Sequence, residues 1–69
     1  MKPTPAKIAD EIYNMMIAIY ETGGWNYSYK IPKWMSITFV NEVIEMLEKY
    51  NLDIDTIRIV NNSIYVDWS

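Results

Sequence analysis

The sequence predicts a small α+β domain of order α-β-α-β-β, a three-stranded, mainly antiparallel sheet with two helices on one face, and three observations predict it. Apolar residues recur at helical spacing in two stretches, over residues 8–19 and 40–47. Large apolar and polar residues alternate over residues 25–31, and again on either side of Asn61-Asn62. That Asn pair stands where a two-residue hairpin turn needs residues that accept positive φ.

The first helix begins at Thr4-Pro5, a hydroxyl N-cap followed by proline at the first helical position. Ile8, Ile12, Met16 and Ile19 form its inner stripe, flanked by Ala9, Tyr13, Ile17 and Tyr20. Only Lys7, Asp10, Glu11, Asn14 and Glu21 make a polar stripe, so this helix is expected to be covered over more than half of its circumference. Thr22-Gly23-Gly24 ends it, with Gly23 suited to the left-handed C′ position. Trp25, Tyr27, Tyr29 and Ile31 then share the buried face of a strand that Pro32 stops.

After a turn through Lys33-Trp34-Met35, Ser36 or Thr38 caps a second helix. Val40, Val43, Ile44 and Leu47 point inward from it, and Glu42, Glu45 and Glu48 face away. Asn51 fits a left-handed C-cap, with Leu52 packing back on the last turn. The hairpin that follows pairs Ile59 with Ile64 and Ile57 with Val66 on one face, and Arg58 with Tyr65 on the other. The same order allows a winged-helix-like variant, with residues 36–50 as recognition helix and Asn61-Asn62 as wing tip. Residues 32–36 are barely long enough for the additional helix that motif requires.

At 69 residues the chain forms one domain, and a small one that must pack densely to be stable. It has no cysteine and no histidine, which removes disulfides, thiolate metal sites and the commonest zinc ligand. Hydrophobic residues make up 51% of it, with three tryptophans and six tyrosines, enough to leave apolar area for a partner or a second copy. The net charge of −3 argues against a general nucleic-acid or anionic-membrane surface. Charge is also uneven, since residues 34–69 carry Lys49 and Arg58 against six acids. No apolar run approaches the ~20 residues of a membrane helix, and the start is no secretory leader, so a cytoplasmic protein is expected.

Catalysis would have to rely on Asp, Glu, Lys, Tyr and Ser alone, and the expectation is that the chain is not an enzyme and takes no cofactor. Asp53 and Asp55 are two apart, but they read as a solvated connection between helix and strand rather than as an acid–base pair. Asn51 to Asp55 has the spacing of the first ligands of a calcium loop. The match fails at Thr56, where the turn needs glycine, and at Asn62, where a bidentate Glu belongs. Gly23-Gly24 follows a helix and is too short to cradle a phosphate.

Two sets of residues remain as candidates for contact with a partner. Glu42, Glu45 and Glu48, with Asp53, Asp55 and Asp67, form an acidic surface suited to a basic protein, and could occupy a groove meant for nucleic acid. Trp34, Tyr65 and Trp68 are the aromatics hardest to place in the core, and together with Met35 they make a candidate contact patch. The leading expectation is a stoichiometric inhibitor or regulator that occludes a basic or nucleic-acid-binding surface. Small size and acidity are shared with phage-encoded anti-defence proteins, anti-CRISPRs among them, an analogy of class and composition; the Ile-, Asn- and Lys-rich, Arg-poor composition suits an A+T-rich phage or its host. A winged-helix DNA-binding regulator is the alternative, opposed by three Glu on the would-be recognition helix. A third reading is a homo-oligomer, such as a homodimer, with the first helix as its seam.

Overall fold

Thr4 caps the first helix as a hydroxyl at that position should: the Lys7 N–H donates to its Oγ1 at 3.2 Å, and Pro5 follows at the first turn. The computed structural model describes residues 3–50 and 54–68. Helix α1 runs over Pro5–Glu21, strand β1 over Asn26–Lys30, helix α2 over Ile37–Tyr50, and strands β2 and β3 over Thr56–Val60 and Ser63–Asp67. The sheet is wholly antiparallel, in the order β1-β3-β2.

Helix α1 stops at a paired bond. Gly23 donates to the Tyr20 carbonyl at 3.0 Å and Gly24 to that of Ile19 at 2.9 Å, with Gly23 at φ +90°. Between β1 and α2 the chain turns at Lys33-Trp34, and the Met35 N–H donates to the Pro32 carbonyl at 3.1 Å. No helix forms in residues 31–36, so the additional helix of a winged-helix domain is not there. Of the two hydroxyls able to cap α2, Ser36 does so, its Oγ accepting from the Phe39 N–H at 3.1 Å.

The hairpin has the register its turn dictates. Asn61 and Asn62 take φ of +49° and +60°, both left-handed, and Ile59 faces Ile64 while Ile57 faces Val66. Strand β3, last in sequence, lies in the middle. Its Ile64 and Val66 are fully buried in one cluster with Ile12 and Met16 of α1 and Val40, Val43 and Leu47 of α2, a core without a buried polar side chain among the described residues. The outer face carries the alternate positions: Ser28, Tyr65 and Arg58 make its middle row, with Lys30, Ser63 and Val60 beside it.

Three expectations need correction. Helix α1 buries Ile8, Ala9, Ile12 and Met16, but Met15, Ile17 and Tyr20 are exposed, because α2 and β1 are the elements packed against it. Trp25 lies before β1 and is exposed, although the alternation assigns it to the buried face. Met35, assigned to a contact patch, is 7% exposed and belongs to the core, because the tight turn at Lys33-Trp34 swings it back inside. The expected cap at Asn51 and the packing of Leu52 lie outside the described residues.

Candidate functional site

On α2, Val40, Val43 and Leu47 set the buried side of the helix, which fixes where the other positions point. Glu45 projects opposite that stripe, and Glu42 and Glu48 flank it, all three exposed. Lys49 lies between Glu42 and Glu45 in the helical projection, so the fan of carboxylates is not pure. At the N-terminal end of the same helix, Ile37 is 64% exposed and Trp34 44% exposed. Trp34 is held in place by an edge-to-face contact with Phe39, their centroids 5.3 Å apart, and Phe39 packs on the core. An indole anchored at its edge presents apolar area without the entropy loss of a free side chain.

The other candidates are elsewhere. The Ile31 N–H donates to the Asn62 carbonyl at 3.0 Å and Asn62 Nδ2 returns a bond of 3.4 Å, so the hairpin turn and Trp34 share one end of the sheet. At the opposite end, Asp55 donates its N–H to the Asp67 carbonyl at 2.8 Å and Trp68 donates its N–H to that of Trp25 at 3.0 Å. Trp68 is half-buried against the core, its Nε1 buried and without a hydrogen-bond partner among the described residues. Asp55 is exposed, and Asp53 lies outside the described residues.

Tyr65 stands at the centre of the outer sheet face. Its hydroxyl donates to Asp67 Oδ2 at 2.9 Å, and the Arg58 guanidinium lies 5.7 Å from its ring centroid. The bond to Asp67 pushes the Tyr65 hydroxyl above the usual tyrosine pKa, burial and the Asp67 charge add to this, and Arg58 opposes it. Tyr29, on the inner face, is raised chiefly by burial and further by the charge of Glu11 and by Tyr27.

The candidates therefore separate. Trp34, Glu42, Glu45 and Glu48 belong to one helix and its entry turn; Tyr65 and Trp68 belong to the sheet, and Met35 to the interior. Ile37 and Ile59 are exposed apolar groups that the sequence did not assign to a contact surface. Ile37 was legible as a residue off the Val40–Val43–Leu47 stripe, one turn before Asn41. Ile59 was not, since its alternation assigns it correctly to the inner face and only the strand order exposes it.

Among the described residues no group of three or more acids is placed to hold a metal ion, and no helix is long and apolar enough to cross a membrane. Compared with known protein families, curated proteins and solved structures, the chain matches none.

Proposed function

We propose that this chain is a protein-binding module, a stoichiometric inhibitor or regulator that lays the outer face of α2 against a basic surface of its partner. One observation carries the reading: exposed Trp34 and Ile37 sit at one end of the helix whose solvent face presents Glu42, Glu45 and Glu48, with Lys49 the one cation among them. An apolar anchor beside a run of like charge is an arrangement in which aromatic burial supplies affinity and charge supplies encounter rate and specificity. A surface that normally binds nucleic acid is the partner class this suits, since carboxylates there take the place of phosphates. That mode of action is the one expected of an anti-defence protein, to which small size and acidity also lend support.

The test is capture of partners from a host lysate without nuclease, comparing the unaltered chain with the triple substitution Glu42→Lys, Glu45→Lys, Glu48→Lys and with Trp34→Ala. One dominant protein, released by high salt and lost with both variants, is the expected result. Retention of duplex DNA by the purified chain at low salt would refute the proposal and favour a DNA-binding regulator. So would a partner held equally by all three proteins.

A further inference from the structure

Strand β2 ends the sheet, and its backbone shows which groups it leaves unpaired. Asn62 accepts from Ile31 and the Trp68 N–H donates to Trp25, so the even positions of β3 turn toward β1. Ser63, Tyr65 and Asp67 then turn toward β2, where they face Val60, Arg58 and Thr56. The N–H and C=O groups of Ile57 and Ile59 consequently point off the sheet's edge. Beside them Ile59 is 42% exposed and Val60 37%, although Ile64, which faces Ile59, is fully buried.

Folded monomers commonly blunt such an edge with a short strand, charged side chains (lysine above all), proline, a bulge or a covering element. The opposite edge, β1, has Lys30, is followed by Pro32 and has α1 packed against it. Thr56-Ile57-Arg58-Ile59-Val60 has a single charge, Arg58, on the outer face, and neither proline, lysine nor a covering element among those in close contact with it.

We propose that β2 is the seam of a symmetric homodimer, pairing antiparallel with the β2 of a second copy about Ile59. An antiparallel edge is self-complementary about a two-fold axis, because each outward residue offers both a donor and an acceptor. Registers that keep buried faces together can centre on Ile57, Arg58 or Ile59. Centring on Arg58 sets two guanidinium groups directly opposite, which is unfavourable. Centring on Ile57 brings Asp55 against the partner's Ile59, an acid against an apolar side chain. Centring on Ile59 covers the two exposed Ile59 side chains with each other, sets Arg58 against the partner's Val60, and carries Ile57 only as far as the partner's Asn61, where the turn ends the ladder.

The two sheets become one of six strands, with both copies of α2 on the same side. A seam this short buries less than the ~800 Å² per partner of a standard interface. The dimer is therefore reversible and concentration-dependent. Arg58 is the only charged residue of β2, so salt strengthens the pairing by screening the two copies from each other.

The chain has no cysteine, so single-cysteine variants report pairing without background. Mild oxidation of Ile59→Cys is expected to give covalent dimer much faster than Arg58→Cys, whose two copies lie diagonally beyond the ~7 Å reach of a disulfide, or Ile17→Cys on α1. Sedimentation equilibrium of the unaltered chain should show monomer and dimer. Ile59→Lys should raise the dissociation constant by about tenfold or more while keeping the circular dichroism of the folded chain. A single monomeric mass for the unaltered chain up to millimolar concentration would overturn the proposal, as would faster cross-linking of Arg58→Cys or Ile17→Cys.

Discussion

Gly24 has no room for a side chain. A Cβ there would collide with the Ile19 Cγ2 methyl and press on the Ile19 carbonyl, whereas at Gly23 there is open space but φ is +90°. The two glycines are thus required for different reasons, one steric and one conformational. Gly23→Ala should cost about 1 kcal/mol, and Gly24→Ala should cost more because the methyl it meets belongs to a β-branched side chain that is stiff in a helix and the carbonyl behind it is backbone; urea denaturation of both variants checks the order. Leu47 is fully buried, and Leu47→Ala should lose about 3 kcal/mol. A domain of 69 residues has only roughly 4–10 kcal/mol to lose, so the variant should melt far below the parent in a calorimeter. Tyr29 and Tyr65 both have raised pKa values in the folded chain. Their contribution is fully present below the ordinary tyrosine value of about 10 and is lost as pH rises through the folded values. Asp67→Asn should return Tyr65 toward the ordinary value, which an ultraviolet titration of tyrosinate would show.

Elements are where local rules carried furthest. Ser36→Ala removes the hydroxyl that accepts from Phe39 and should cost about 1 kcal/mol by thermal melting. Asn62→Ala should cost a comparable amount, because alanine tolerates a φ of +60° less well and the bond from Asn62 Nδ2 to the Ile31 carbonyl is lost. Both caps of α1 and the hairpin register were legible, and the cap of α2 was narrowed to Ser36 or Thr38, because each is set by residues within a few positions of one another. Tertiary placement was not. The alternation around Trp25 is real, but the indole precedes the strand and finds no cover. Met35 belongs to a turn in sequence and to the core in space, since turn geometry decides which way a residue faces. The acidic fan on α2 followed from helical period alone, whereas its separation from Tyr65 and Trp68 required knowing how the sheet is ordered.

At the scale of the whole molecule, the exposed carboxylates of α2 and the exposed isoleucine of β2 lie on different elements. Charge reversal at Glu42, Glu45 and Glu48 touches only exposed positions, so it should leave the urea midpoint nearly unchanged while it abolishes partner capture. A dimer through β2 would present two α2 faces on one side and bind a multivalent target with the advantage of effective concentration. The sheet order has a further consequence for how the chain is made. Strands leave the ribosome in sequence, and β1 and β2, which both need β3 as their neighbour, leave before it. Until Ser63–Asp67 emerges, the nascent chain holds two unmated strands and a helix pair without Ile64 and Val66 to close over it. Folding is then a late event that completes both ladders at once, and until it happens the chain has its own charge, rather than partial structure, to hold it apart from its neighbours.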